Sequence, residues 1–178
     1  MYTFVIGNGP SSLKWRGIDL YPSIGCNLAI EHWDLDHVVC ADRFAVVEIR
    51  KLPIKPNTRY WLKDSPLETP PNWHDYQFPG IDSGSAALKL SGELYSNEII
   101  VIGFDGVLGL DNGNTYSYKF RPYPTKEHTR EKHRKSVIQL LPNLPRVRFV
   151  SEQPHQSLET INYDQALKIA ITQSRKLS

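Results

Sequence analysis

Apolar residues fall along this chain in short runs separated by polar turns. Residues 3–7, TFVIG, are a β-branched and aromatic run closed by glycine, which predicts a short buried strand. After the turn, SSLKWRGIDL predicts a short helix, SIGCNLAI (23–30) a second strand and HVVCA (37–41) a third, closing at Asp42. RFAVVEIRKL (43–52) reads as a helix ended by Pro53, and TRYWLK (58–63) as a fourth strand. Residues 64–81 hold four prolines and little periodicity, which predicts an exposed, mobile loop able to fold over a site. SGSAALKLSGELYS then carries small and apolar residues at helical spacing, and EIIVIGFDG (98–106) is a buried strand ending in a glycine turn. A turn-rich, aromatic excursion at about 107–125 is the second expected mobile loop. A helix over 126–141, a strand at VRFVS (147–151) and a last helix starting near Asn162 complete the pattern.

Apolar strands alternating with helices predict an α/β fold, a Rossmann-like three-layer sandwich with a mostly parallel sheet. Residues 1–178 read as one nucleotide-binding domain, a length that buries a substantial core. Ligands of such sheets bind beyond the carboxyl ends of the strands. Asn8, Ser11, Asn27, Asp42, Ser83, Gly84 and Asp105 are all expected near that edge.

Composition changes this picture little. Hydrophobic residues make up 40% and charged residues 22%, as in ordinary globular domains, and no apolar stretch approaches a membrane span. The segment MYTFVIGNGP lacks the basic region of a secretory signal, so a cytoplasmic location is expected. Cys26 and Cys40 fall in buried strands and read as reduced core thiols, a disulfide being a matter of geometry. A formal net charge of +2 argues against a dedicated nucleic-acid-binding protein. Charge is nevertheless concentrated from Lys119 to Arg134, which is either a solvated helix face or a surface for an anion.

Three segments carry candidate chemistry. In GNGPSS, Gly7 and Gly9 allow a tight turn and close approach of a phosphate, although Ser12 stands where the dinucleotide fingerprint has its third glycine. The Asn8 amide both donates and accepts, which suits a sugar or base. In IDSGSAALKL, Asp82 or Ser83 can cap the helix while Gly84 leaves its first amides open to an anion. In GFDG, Asp105 either orients a sugar hydroxyl or caps the next turn. His128 and His133 are candidate general bases, five residues apart and so on different helix faces. The Asp-x-Asp pair of WDLD (33–36) precedes a strand and therefore lies at the wrong end of the sheet for a donor-site metal. No Cys/His spacing suggests zinc, and no phosphate-binding Gly-Lys-Ser/Thr loop is present.

In that order VIGNGPSS, GCN and SGSAALKLSGELYSNEIIVIGFD resemble the bacterial sialyltransferases of glycosyltransferase family 42, over residues 3 to about 106. They also resemble the archaeal 6-hydroxymethylpterin diphosphokinase-like proteins. The resemblance implies binding of a cytidine nucleotide sugar without an obligatory metal, with Asn8 and Asn27 on the donor nucleotide. The family's Thr-Ser-Gly segment, near the donor phosphate and sugar, corresponds to Asp82-Ser83-Gly84, where the acidic residue is a departure. A histidine base and phosphate-steadying tyrosines are implied on a later segment, where His128, His133, Tyr116, Tyr118 and Tyr123 lie. The chain is short for the family and lacks much of its acceptor-binding insertion. The leading expectation is therefore transfer of a sugar from a CMP donor to an unidentified acceptor. The rival enzyme reading is Mg2+-dependent pyrophosphoryl transfer from ATP, with Asp42, Asp82 and Asp105 holding the metal. A non-catalytic module using residues 119–134 is the third.

Overall fold

The chain folds, in a computed structural model that describes residues 1–63, 72–76, 82–110 and 127–177, around an eight-stranded sheet. Its strands are β1 (Tyr2–Ile6), β2 (Ser23–Cys26), β3 (His37–Cys40), β4 (Arg59–Leu62), β5 (Trp73–Asp75), β6 (Glu98–Ile102), β7 (Val147–Val150) and β8 (Thr160–Ile161). The order is β5-β4-β3-β2-β1-β6-β7-β8, and every pairing is parallel. The helices are α1 (Arg43–Ile49), α2 (Ser83–Leu94), α3 (Asp105–Leu108), α4 (Glu127–Leu140) and α5 (Tyr163–Leu177).

This is the expected Rossmann-like α/β sandwich. Consecutive side chains of a strand point to opposite faces, and both faces here are apolar, so the central strands read as unbroken hydrophobic runs. Val5, Ile24, Val39, Ile99 and Val101 meet Ala86, Ala87, Leu88 and Leu90 of α2, with Val137 of α4. On the other face Phe4, Ile6, Val38, Cys40, Ile100 and Ile102 meet Trp15, Val46 and Ile49 of α1, and Ala166 and Ala170 of α5.

Several boundaries differ from the sequence expectation. The second strand stops at Cys26, because Asn27 takes a left-handed φ of 52° and turns the chain into a 3-10 segment, Asn27–Glu31. SSLKW likewise forms a 3-10 turn, Pro10–Trp15, in place of a longer helix. The expected strand 98–106 ends at Ile102, where Gly103 at φ 71° redirects the chain toward α3. The expected loop 64–81 contains β5, a three-residue edge strand, and β8 was not anticipated. Most of that loop, and residues 111–126 of the second, lie outside the described residues. No helix among the described residues is long and apolar enough to cross a membrane.

The strand order reverses between β1 and β6. Strands β2 to β5 are laid down on one side of β1; the chain then crosses back through α2 and builds β6 to β8 on the other. Such a switch point opens a crevice at the carboxyl ends of the strands, and most α/β ligand sites sit there.

Candidate functional site at the carboxyl edge of the sheet

At this switch point the crevice is filled by the protein itself. The Ser11 amide donates to Asp105 Oδ2 at 2.8 Å, and the Ser11 hydroxyl donates to Asp105 Oδ1. The loops after β1 and β6 are also joined backbone to backbone, Gly9 N to Gly103 O at 2.8 Å and Gly7 N to Ile102 O at 2.7 Å. A Cβ on Gly9 would stand 2.7 Å from the Asp105 carboxyl carbon, and one on Gly7 would collide with the Gly103 carbonyl. The glycines therefore do permit a close approach, as their pattern predicts, but the approaching groups are the Asp105 carboxylate and the Gly103 carbonyl. Asp105 is buried, and both donors of Ser11 face it.

The polar network that remains lies to one side, over the ends of β1, β2 and β3. Asn8 is buried; its Nδ2 donates to the Cys26 carbonyl at 2.8 Å and lies 3.7 Å from Cys26 Sγ. Asn27 follows β2 directly. Its Oδ1 accepts from Ser83 Oγ at 2.7 Å and from Cys40 Sγ at 3.2 Å. Ser83 Oγ in turn accepts from Ala41 N at 2.9 Å, so a relay runs from the end of β3 through α2 to the end of β2. Asn8, Asn27 and Ser83 are thus brought to one edge by two strand ends and one helix start, and Ala41 at the end of β3 holds Ser83 in place.

The residues around them are structural. Asp82 caps α2, accepting from Ser85 N at 3.0 Å and from Ser85 Oγ at 2.8 Å, which leaves Ser83 free to turn toward Asn27. Gly84 packs against Phe104, whose ring lies 3.0 Å from where a Cβ would be. Asp42 caps α1 through Phe44 N at 2.9 Å. Asp42, Asp82 and Asp105, the three carboxylates of the Mg2+ reading, are thus each engaged by the protein's own donors. Among the described residues no group of three or more His, Cys, Asp and Glu is placed to hold a metal.

Both cysteines line the floor of this network. They are free thiols on opposite faces of the sheet, Cys26 toward α2 and Cys40 toward α1, which settles the disulfide question. Burial first, then the Asp82 charge, pushes the Cys26 thiol up to about 12; burial pushes Cys40 up as well. Neither is a nucleophile at neutral pH. No sequence motif marked them as site residues, although Cys-Asn at the end of β2 is the signal that could have.

Between β6 and the parallel β7, α4 runs back from the carboxyl edge to the amino edge. His128 is exposed on its first turn, and no contact among the described residues brings it to Asn8, Asn27 or Ser83. His133 lies about 7.5 Å further along the axis and on another face. Arg134 Nε donates to the Val107 carbonyl at 2.8 Å and ties α4 to α3, while Arg130 pairs with Glu127 and Lys135 with Glu131. Tyr116, Tyr118 and Tyr123 lie outside the described residues.

The WDLD pair sits, as expected, at the opposite edge. Asp34 pairs with Lys55 at 2.6 Å, and Asp36 Oδ2 accepts from Ser23 N at 2.7 Å. Both border a cavity of about 500 Å3 with Asp19, Tyr21, Asn57 and Thr58. No protein-family model matches this chain, and no curated protein or solved structure does so either.

Proposed function

We propose that this protein is a sialyltransferase-like glycosyltransferase that takes a sugar from a CMP donor seated over the carboxyl ends of β1, β2 and β3. The observation that carries this reading is the meeting of Asn8, Asn27 and Ser83 at one edge, with the Asn8 oxygen lacking any donor among the described residues. A neutral amide edge of this kind suits a base or sugar rather than a bare phosphate. The switch-point crevice, where a diphosphate would otherwise lie, is taken by Asp105.

In this reading the acceptor hydroxyl attacks the anomeric carbon while a histidine removes its proton. One of His128 and His133 is assigned that role, as the sequence and the resemblance suggest. The leaving phosphate gathers negative charge in the transition state, and fixed donors there lower the barrier most. Tyr116, Tyr118 and the Lys/Arg residues of 119–126 are assigned that role from the sequence alone. The bond from the anomeric carbon to the CMP phosphate breaks as the bond to the acceptor oxygen forms, and the resemblance to the sialyltransferases implies no obligatory metal at the leaving phosphate. The pyrophosphokinase reading has less support, since its three carboxylates already cap helices or hold Ser11. In the basic stretch, Arg130 and Arg134 are occupied within the protein, which weakens the case for a pure anion-binding module.

Calorimetry with CMP and a CMP-sugar in EDTA, set against ATP with Mg2+, tests the reading. Metal-independent CMP binding is expected, and binding of ATP alone and only with Mg2+ would overturn it. With an acceptor in hand, His128→Ala or His133→Ala should lower turnover at least about a hundredfold. Full turnover in both variants would remove the histidine assignment.

A further inference from the structure

The cavity of about 500 Å3 at the amino edge of the sheet takes no part in the chemistry assigned above. Its walls come from the connections that lead into β2, β3 and β4. Leu20, Leu35 and Pro56 give it an apolar lining, and Tyr21, 52% exposed, stands on the same wall. A volume of this size fits a small molecule. The frame is fixed from within. Thr58 Oγ1 donates to the Leu35 carbonyl at 2.6 Å, Ser23 N donates to Asp36 Oδ2 at 2.7 Å, and Arg59 N donates to the Asp36 carbonyl at 2.8 Å.

Charge decides what fits. Among the described residues the lining sets Asp19, Asp34 and Asp36 against one cation, Lys55, which is already bonded to Asp34 at 2.6 Å. Asp19 and Asp36 have no cationic partner there. Asp36 Oδ2 is held by Ser23, while its Oδ1 has no hydrogen bond among the described residues and is not sealed from solvent. A ligand therefore reaches it without any movement of the chain. Burial first, and the Asp19 charge to a smaller degree, push the Asp36 carboxyl above its ordinary value, and a nearby cation offsets both. No group of three or more His, Cys, Asp and Glu is placed to hold a metal among the described residues, so a single point charge matches the cavity poorly.

We propose that this cavity is a second binding site, for an aliphatic diamine whose two ammonium groups meet Asp19 and Asp36 while its methylene stem lies on Leu20, Leu35 and Tyr21. An ammonium group is stabilised by a carboxylate half removed from water and by an aromatic face. Two cations on one stem answer both free carboxylates, where a monoamine answers one. The site lies at the edge opposite the nucleotide reading, and neither depends on the other.

Calorimetry at low ionic strength tests this, with 1,4-diaminobutane, 1-aminobutane, 1,4-butanediol and Mg2+ as probes of the unmodified protein. The diamine should bind at least about tenfold more tightly than each of the other three. Asp36→Asn, which keeps an acceptor for Ser23, should weaken the diamine about tenfold or more. Asp19→Asn should do the same from the exposed side of the cavity, where folding is not at stake. Mg2+ binding as tightly as the diamine would mark a plain acidic surface and overturn the proposal. Equal binding of the diol, or no binding of the diamine, would overturn it too. So would diamine binding that both variants leave unchanged.

Discussion

The contact between Ser11 and Asp105 separates two roles that the glycine turn could have: closing the fold or holding a ligand. Ser11→Ala removes the hydroxyl that donates to Asp105 Oδ1 and keeps the amide that donates to Oδ2 at 2.8 Å. A hydrogen bond to a charged group contributes about 1.5–3 kcal/mol, so a loss of that size is expected. Asp105→Ala removes both bonds, leaves the Ser11 amide without an acceptor and empties a buried position, for a total of about 3–5 kcal/mol. In the double variant the Ser11 hydroxyl has nothing left to bind. The two changes should therefore fall short of additivity by about 1.5–3 kcal/mol.

Urea unfolding followed by circular dichroism and tryptophan fluorescence measures these values. Trp15, buried at the end of the same 3-10 turn, contributes to that fluorescence together with Trp33, Trp61 and Trp73. A loss below about 0.5 kcal/mol in Ser11→Ala, or strict additivity in the double variant, would show that the contact does not stabilise the fold. The same Ser11→Ala protein also tests the placement of the ligand. With both donors of Ser11 facing Asp105, CMP affinity should change by less than about threefold. Abolished binding at unchanged stability would move the ligand into the β1–β6 crevice and refute the argument made from its closure.

Two further predictions concern buried polar groups away from the site. His37 accepts from Trp61 Nε1 at 3.1 Å through Nδ1, lies 2.9 Å from the Tyr95 hydroxyl through Nε2, and is held near a pKa of about 4 by burial and then by Arg59 and His74. The unfolded chain takes up this proton first, so the stability present above about pH 6.5 should fall by about 3 kcal/mol as pH drops toward 4, and level off below. His37→Phe should flatten that slope in urea titrations at pH 7 and 4.5; an unchanged slope, or a His37 resonance titrating near 6.5, would contradict it. Gln173, on α5, accepts from Tyr2 N at 2.7 Å and donates to Tyr2 O at 2.8 Å and Tyr21 O at 2.6 Å. Gln173→Leu keeps the volume and loses all three bonds, so unfolding should become about 2–4 kcal/mol easier, and a change under 0.5 would refute the clamp.

What the sequence makes legible follows from where its signals come from. After a polar first residue (Thr3, His37 and Glu98), the runs TFVI, HVVC and EIIVI are apolar at every position because both sheet faces are covered, and such runs announce interior parallel strands. Trp73–Asp75 and Thr160–Ile161 are edge strands of three and two residues, too short to carry a period. The end of β2 was hidden for another reason. Leu28, Ala29 and Ile30 stay buried in the 3-10 turn, so the apolar run outlasts the strand, and only the left-handed Asn27 marks the break.

The opening turn shows a subtler limit. Two glycines flanking an asparagine state that something must come close to the backbone, and the Gly103 carbonyl and the Asp105 carboxylate do so. They do not state what comes close. Ser11 and Asp105 are 94 positions apart and meet because β1 and β6 pair in register, Ile6 opposite Ile102. A phosphate and a carboxylate present similar oxygens to the same amides, so an internal anion satisfies the pattern as well as a bound one. The distinguishing feature lies in the neighbouring strand: when an acidic residue follows the strand that pairs with the glycine turn, here GFDG after EIIVI, the turn can be filled from within. The ligand's place must then be sought among the polar groups still lacking a partner, and at this edge that leads to Asn8.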